Sequence, residues 1–375
     1  MEEFRVSFVP PPYPYDRLSG IKDAAGQHEG GAVDCSIGTP VDAPPSFVIE
    51  ELARGVGARS YPPSIGTADY RDAVAGWLSR RFGVHLDRSA IAACIGTKEF
   101  VASTAHYLHL RTPEKDTVLY PAISYPTYDM GATLAGLRAV PVPLRNGSLD
   151  LDAISPEDAA RALLLWSNSP SNPTGFLDDL GAVAAWGRAH GVTVLSDECY
   201  AEFTWATAPR SILEHGTDGV LAVHSISKRS NLAGIRAGFY AGDPELVAYL
   251  AAVRQHAGMM VPTPVQSAVA LAFAYDEHVA VQRGVYARRL KTISTALEQA
   301  GINAPLPEGG FYLWCWRDGY DGWELAQWIA EASGMITSPG ELYGPDGSAF
   351  VRVALVQPDA ALDVVARRLL TTRIA

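Results

Sequence analysis

The sequence predicts an α/β protein: a large domain with a mostly parallel sheet flanked by helices, plus a smaller α+β domain. Short apolar runs alternate with helical patterns along the chain, which is typical of βαβ units. The runs are continuously apolar rather than alternating, as expected for strands covered on both faces. The length of 375 residues is sufficient for two domains.

Five apolar runs predict the parallel strands, and each run ends in a polar or glycine-containing turn. They cover residues 90–95, 117–120, 161–166, 192–195 and 219–224. In parallel sheets, ligands bind beyond the carboxyl ends of the strands. The turns that follow these runs are therefore the expected location of a functional site.

The chain divides into three predicted regions. Residues 1–35 are rich in proline and glycine and predict an N-terminal arm that contributes to the small domain. Residues 36–263 form the expected large domain, and residues 264–375 the small domain, entered by one long helix from about Pro264 to Ala300. Two further apolar runs predict strands of the small domain: 310–314 and 349–355.

Composition excludes several classes of function. The net charge of −11 argues against nucleic-acid binding, because phosphate contacts require clustered lysine and arginine. No apolar stretch is long enough for a membrane span, and Met1–Arg5 lack a secretion signal, so we expect a cytoplasmic protein. The four cysteines are scattered, which favours buried thiols over a disulfide framework or a metal site.

Three basic residues stand in positions suited to chemistry. Lys228 follows a hydroxyl-rich turn at a predicted strand end, and Arg236 lies eight residues further on. A Schiff-base enzyme needs a lysine in a pocket that favours the neutral amine, but a loop lysine by itself is usually only solvated. Arg352 lies within an apolar strand, where an unpaired charge is costly, so we expect an anionic partner for it.

Several motifs occur together and in a consistent order along nearly the whole chain. They are Tyr61-Pro62 with Gly66, Gly96-Thr97, Tyr125-Pro126, Asn172-Pro173-Thr174-Gly175, Asp197 with Tyr200, Ser225-Ile226-Ser227-Lys228, Gly234-Ile235-Arg236-Ala237-Gly238, and Arg352. In this order the sequence resembles the class I/II aminotransferases of fold type I, which depend on pyridoxal 5′-phosphate (PLP). The resemblance implies that residues 36–263 form the PLP-binding domain.

The resemblance also implies roles for residues around the cofactor ring. Lys228 would hold the cofactor as a Schiff base and then move the proton between the substrate and the cofactor. Asp197 would pair with the pyridine nitrogen and keep it protonated, so that the ring accepts electrons. Tyr200 and Asn172 would hydrogen-bond the 3′ oxygen, and Tyr125 would stack on the ring.

Further implied roles concern the phosphate and the substrate. The backbone amides at the start of a helix can hold an oxyanion, and an arginine offers a fork of donors. The phosphate would be bound by Gly96, Thr97, Lys98, Ser225 and Arg236, and by Tyr61 of a neighbouring subunit, so that a homodimer shares its active sites. Arg352 would bind the substrate α-carboxylate, with Gly38 and Asn172 beside it.

Stretches such as Ser36-Ile37-Gly38-Thr39-Pro40 and Gly96-Thr97-Lys98-Glu99 resemble the actinobacterial-type N-succinyldiaminopimelate aminotransferases. The implied reaction is a ping-pong transfer between glutamate/2-oxoglutarate and N-succinyl-2-amino-6-oxopimelate/N-succinyl-LL-2,6-diaminopimelate, in lysine biosynthesis. Tyr13-Pro14-Tyr15-Asp16 departs from the Phe-Pro-Trp-Asp pattern of that group, which bears on acyl-group specificity. Alternatives left open are transfer to another acidic or aromatic amino acid, a PLP-dependent lyase of the same fold, and a non-catalytic protein of this fold.

Overall fold

The computed structural model describes residues 8–374, so Met1–Arg5, assessed above for a secretion signal, lie outside the described residues. The strands are β1 Val33–Asp34, β2 Ile91–Cys94, β3 Thr117–Pro121, β4 Arg138–Val142, β5 Leu144–Arg145, β6 Ser148–Leu149, β7 Ala162–Asn168, β8 Thr193–Asp197, β9 Val220–Ser225, β10 Gly238–Gly242, β11 Tyr312–Trp316, β12 Met335–Ile336, β13 Ser338–Pro339 and β14 Phe350–Ala354. The helices are α1 Ser19–Ala25, α2 Ser46–Arg54, α3 Ala68–Phe82, α4 Thr97–Arg111, α5 Thr127–Leu134, α6 Pro156–Arg161, α7 Leu180–His190, α8 Ile226–Arg229, α9 Pro244–His256, α10 Thr263–Ala274, α11 Glu277–Gln299, α12 Gly322–Ser333 and α13 Asp359–Leu370.

The largest sheet of the described residues has seven strands in the order β2-β10-β9-β8-β7-β3-β4. β10 runs antiparallel to both of its neighbours, and the other pairs are parallel. The five strands predicted from apolar runs are confirmed to within about two residues at each end. The glycine-flanked strand β10 was not anticipated.

The apolar strands are buried on both faces because helices cover the sheet from two sides. In β2, Ile91 and Ala93 pack into one core together with α3, α7 and α10. Ala92 and Cys94 of the same strand pack into the opposite core with α4 and α9. Alternate residues of one strand therefore reach different cores, which explains why the runs are apolar without a break.

A second group of elements surrounds the sheet β11-β14-β13. Leu18, just before α1, and Ile21 of α1 join a core with residues of α11, α12 and α13, so the N-terminal segment packs against the C-terminal part of the chain. The single long helix expected from about Pro264 to Ala300 is wrong in one respect: it is divided into α10 and α11. Tyr275 between them is extended (φ −122°, ψ 130°). The break lets α10 pack on α2 and α3, while α11 packs on α13.

All four cysteines are free; Cys35, Cys94 and Cys315 are buried, whereas Cys199 is only partly so. No helix in residues 8–374 has the length and apolar character needed to cross a bilayer. The same part of the chain contains no group of three or more His, Cys, Asp or Glu side chains arranged to hold a metal ion.

Candidate active site

A cavity of about 360 Å³ lies where β7, β8 and β9 end, and Tyr13 and Tyr15 of the N-terminal segment line it as well. Its position agrees with the rule that ligands bind at the carboxyl ends of parallel strands. Most of the residues proposed from the sequence line this one cavity: Gly38, Thr97, Lys98, Tyr125, Asn172, Asp197, Tyr200, Ser225, Lys228, Arg236 and Arg352.

Lys228 lies on α8, a single helical turn that directly follows β9. Ser225 caps this turn, because its Oγ accepts a hydrogen bond from a backbone N–H two residues on, at 3.0 Å. The Lys228 side chain is partly buried, and its Nζ donates to the carbonyl of Gly38. Burial, together with the charges of Arg352 and Arg236, lowers the pKa of Lys228 from 10.5 to about 8. A neutral amine, the form that attacks a carbonyl, is therefore accessible near neutral pH.

Asp197 is the last residue of β8 and is only 7% exposed. Its Oδ2 accepts a hydrogen bond from the hydroxyl of Tyr128 at 2.9 Å, and its Oδ1 accepts one from the backbone N–H of Cys199 at 3.2 Å. Burial raises the pKa of Asp197. Because a carboxylate can accept about four hydrogen bonds, Asp197 retains capacity to pair with a protonated ring nitrogen.

The start of α4 and the side chain of Arg236 form an anion-binding end of the cavity. Gly96 precedes the helix with φ 76°, and a Cβ built there would collide with the guanidinium of Arg236. The first amides of a helix, here from Thr97 onwards, have no acceptor within the helix and attract anions. Ser225 lines the same cavity. This arrangement can hold a phosphate group.

Arg352 lies in the centre of β14 and is 2% exposed. Its Nη1 donates to Oδ1 of Asn172 at 2.7 Å and its Nη2 donates to the carbonyl of Ser36 at 2.5 Å. The guanidinium carbon is 4.3 Å from the ring centroid of Tyr312 and 4.7 Å from that of Tyr343. Within the described chain, its buried Nε has no hydrogen-bond partner. These contacts are with neutral groups, so the arginine is suited to an anionic ligand.

Three further predicted residues line the cavity, and two of them, Tyr200 and Asn172, contact neighbouring side chains. The hydroxyl of Tyr200 is 2.8 Å from that of Tyr312. Asn172 uses its side-chain oxygen to accept from Arg352. Tyr125 is partly buried, and burial raises its pKa. The proposed contacts of these three residues with a cofactor stay predictions.

The mouth of the cavity is aromatic and contains a lysine. Nζ of Lys98 is 5.1 Å from the ring centroid of Tyr13 and 6.0 Å from that of Tyr125. Burial by itself lowers the pKa of Lys98, but the neighbouring hydroxyls of Tyr125 and Tyr13 outweigh it and the pKa is raised. The side chain of Lys98 is therefore a cation at the mouth, while its backbone lies at the start of α4.

Gly38 and Tyr61 complete the set of predicted residues. A Cβ at position 38 would collide with the hydroxyl of Tyr312, so the backbone approaches the cavity wall too closely for a side chain. Tyr61 is 96% exposed and does not line the cavity of its own chain. Its expected contact with a second subunit stays a prediction.

Three side chains with contacts to predicted site residues are among the cavity-lining residues that sequence reasoning missed. Tyr128 bonds Asp197, and its signal was its position three residues after Tyr125. Tyr312 was read as part of an apolar strand, although it contacts Tyr200 and Arg352. Cys199 was expected to be a buried structural thiol, but it lies against Thr97, with 3.4 Å between Sγ and Oγ1. No local pattern distinguishes Tyr312 or Cys199 from ordinary core residues.

The groups present fit pyridoxal phosphate. Gly96 leaves space that a side chain would fill beside Arg236, which suits a phosphate. Asp197 supplies a carboxylate for a ring nitrogen, and Lys228 supplies an amine of lowered pKa for a carbonyl. The fold is that of the PLP enzymes of fold type I, and the cavity offers groups suited to each part of that cofactor.

The comparisons with known proteins identify the family. The chain belongs to the aminotransferase class I and II family, whose model matches residues 32–369. Members of this family use pyridoxal phosphate. Membership of the family supports transaminase activity for this protein.

The chain is similar over nearly its whole length to two relatives and one solved structure. The chain is 42% identical to the 4-dedimethylamino-4-oxo-anhydrotetracycline transaminase OxyQ of Streptomyces rimosus, over 96% of this chain and 99% of that protein. It is 43% identical to a probable aminotransferase of Mycobacterium tuberculosis, over 97% and 86% of the two chains. A probable N-succinyldiaminopimelate aminotransferase from Thermus thermophilus has a similar structure, with a TM-score of 0.85, 30% identity, and coverage of 96% and 100%.

Proposed function

We propose that this protein exchanges amino groups between glutamate/2-oxoglutarate and N-succinyl-2-amino-6-oxopimelate/N-succinyl-LL-2,6-diaminopimelate, a step of lysine biosynthesis. The observation that carries the proposal is that the cavity holds two basic side chains besides Lys228 and Arg236, namely Arg352 in its buried wall and Lys98 at its mouth. Both substrate pairs carry more than one carboxylate. The likeness to the Thermus thermophilus protein supports the same substrate class.

In this proposal Lys228 binds the cofactor and then acts as the proton carrier. When bound, pyridoxal phosphate supplies a carbonyl that holds the amino group and a ring that accepts the electrons released at the substrate Cα. Lys228 would be the group that moves the proton between the substrate Cα and C4′ of the bound cofactor. Its lowered pKa supports this role, because a base that titrates near the working pH transfers protons efficiently.

Asp197 keeps the ring nitrogen protonated, and Tyr128 orients the carboxylate that does so. The hydrogen bond from the Tyr128 hydroxyl fixes one carboxylate oxygen of Asp197, so the carboxylate cannot rotate freely. At the other end, the amides that open α4, with Ser225 and Arg236, hold the phosphate. These two anchors would hold the ring nitrogen and the phosphate of the cofactor on either side of Lys228.

Arg352 binds the α-carboxylate of each amino or oxo acid. Its buried Nε and neutral hydrogen-bond partners support this role, because a carboxylate would balance a charge that no acidic side chain among the described residues pairs with. Lys98 would then bind the distal carboxylate of the longer substrates. A glutamate and a succinylated substrate can use the same two cations in turn, which suits a ping-pong reaction.

A homodimer with shared sites belongs to the same proposal. Tyr61 exposes 96% of its surface, and the neighbouring Val56 is 49% exposed, so this segment offers apolar surface to a second copy. Mixing a Tyr61→Ala subunit with a Lys228→Ala subunit tests it: each hybrid dimer would contain one intact site and recover activity. Absence of any recovery in a mixture shown to form hybrids would contradict the sharing of sites.

A second candidate is amino transfer to a ketone on a flat ring system. The observation that favours it is the aromatic mouth formed by Tyr13, Tyr15 and Tyr125, on which such a ring can stack. OxyQ, at 42% identity, is named for a substrate of that kind. In this case Lys98 would contact an oxygen substituent instead of a carboxylate.

A half-reaction screen separates the candidates. Purified holoenzyme is mixed with single amino donors, and the loss of the visible band of the lysine-bound cofactor is followed. We expect glutamate and N-succinyl-LL-2,6-diaminopimelate to discharge the band, and aromatic amines to leave it. The reverse pattern would favour the ring ketone. Release of pyruvate or ammonia without formation of a new amino acid would favour a lyase.

A further inference from the structure

Arg229, the residue that follows Lys228, forms ion pairs with Glu202 and Asp276 behind the cavity. We call this group of side chains the buried layer. Arg229 is 3% exposed, whereas its chain neighbour Lys228 lines the cavity. Nε of Arg229 lies 3.2 Å from Oε1 of Glu202, and its Nη2 lies 2.5 Å from Oδ1 of Asp276. Its Nη1 donates to the carbonyl of Ala272 on α10 at 2.5 Å. One side chain therefore ties α8 to three other parts of the chain.

Glu202 is itself held firmly. Its Oε1 accepts from the indole N–H of Trp77 at 2.8 Å, and its Oε2 accepts from Nε of Arg81 at 2.9 Å. Trp77 also lies beneath the guanidinium of Arg229, whose carbon is 5.6 Å from a ring centroid of the indole. The anchor of Arg229 is thus rigid, because each of its partners has further contacts.

The same pattern occurs one strand away. Glu198 follows Asp197 and His224 precedes Ser225, and the two lie 3.0 Å apart, Oε2 to Nε2, fully buried between the ends of β8 and β9. Asp197 and Ser225, at these strand ends, therefore each have a chain neighbour in a buried contact between two ionisable side chains. The layer links the elements that carry the site.

We propose that Arg229 is a positioning residue for Lys228. A helix of four residues has no stability of its own, so the orientation of α8 is set by its tertiary anchors. Arg229 supplies three of them, to Glu202, Asp276 and Ala272, and successive side chains on a helix point about 100° apart. Fixing Arg229 in the buried layer therefore fixes the direction in which Lys228 enters the cavity.

This inference rests on the proposed role of Lys228 as the lysine that binds the cofactor. Buried ion pairs contribute little net stability compared with apolar packing, so stability alone is a weak reason for this one. A misplacement of about 1 Å at a reacting group costs roughly 100-fold in rate. The effect of Arg229 on the rate, through the position of Lys228, is thus expected to be larger than its effect on stability.

The test compares Arg229→Lys with a matched control, Arg289→Lys. Arg289 is also buried between two carboxylates, those of Asp42 and Asp359, but it does not line the cavity. For each holoenzyme, one measures kcat, KM, thermal stability and the pH midpoint of the visible band of the bound cofactor. Glu202→Gln serves as a second variant that keeps the volume, and it decides the question if Arg229→Lys does not fold.

We expect Arg229→Lys to lower kcat by about 10- to 100-fold with KM changed less than about 2-fold. The pH midpoint should rise by at least about half a unit, because a lysine held less deeply is easier to protonate. Arg289→Lys should lose stability without either change. Equal kcat and equal midpoints in the two variants would overturn the proposal.

Borohydride reduction of the wild-type holoenzyme, followed by peptide mapping, separates this inference from the proposed function. If Lys228 carries the label but the spectrum of Arg229→Lys is unaltered, only the proposal that Arg229 positions Lys228 is overturned. If another lysine carries the label, the cofactor-binding role of Lys228 is overturned as well.

Discussion

The two ends of the cavity are built in different ways. At the proposed cofactor end, Asp197 and Ser225 are the last residues of adjacent parallel strands, so the backbone ladder fixes their spacing. At the proposed substrate end, Tyr15, Lys98 and Arg352 come from distant parts of the chain and line the cavity with their side chains. The difference shows where change is tolerated. The mouth can be altered without disturbing the sheet that holds the chemical groups.

The largest expected effect is at the cofactor end. Lys228→Ala should lower kcat by at least about 10⁴-fold, because it removes both the covalent attachment and the proton carrier. The visible band of the lysine-bound cofactor should vanish as well. Steady-state assays and absorption spectra provide the measurement, with the exposed Lys291→Ala as control. A band that persists in Lys228→Ala would remove this residue from the site.

Arg352→Ala tests whether substrate binding can be weakened without loss of the bound cofactor. It should raise the KM of both substrate pairs about 100-fold, roughly 3 kcal/mol, since a charge-assisted pair of hydrogen bonds is lost. The band of the bound cofactor should persist. Arg367→Ala, which alters an exposed arginine on α13, is the matched control. An unchanged KM for both substrates would show that the carboxylate binds elsewhere.

Lys98→Met tests the mouth alone. It should raise the KM for a substrate with a distal carboxylate about 10-fold, while a donor such as alanine, which lacks that group, is unaffected. Within this one variant, the change in KM for the donor with a distal carboxylate is compared with the change in KM for alanine. Lys22→Met, at an exposed position on α1, controls for the loss of charge. Equal changes for both donors would place Lys98 in cofactor binding instead.

The smallest expected effect is a shift in pH dependence. The pKa of Lys228 is lowered from 10.5 to about 8, so its neutral fraction increases as the pH rises through about 8. The rate at which cofactor-free protein captures pyridoxal phosphate should follow that midpoint. Arg352→Ala should move the midpoint upward, because a positive charge that disfavours the lysine cation is removed. A wild-type midpoint near 10.5 would contradict the burial of this amine.

Sequence patterns predicted the strands well, because burial on both faces leaves a continuous apolar run such as 162–166. They also placed Asp197 and Lys228 at or just after strand ends, which is a local feature, whereas the roles of both residues came only from the family resemblance. They failed for the break at Tyr275, where no proline or glycine interrupts the helical pattern. There, packing of α10 and α11 against different partners decides the chain direction.

The sequence by itself determined the class of fold, the family resemblance and the residues at the strand ends, because these depend on local order along the chain. Only the tertiary structure decided that Tyr128 bonds Asp197 and that Arg229 is tied to Glu202 and Asp276. Those contacts join residues separated by 27 to 69 positions. No local pattern encodes them, since each depends on how the sheet and its helices bring distant side chains together.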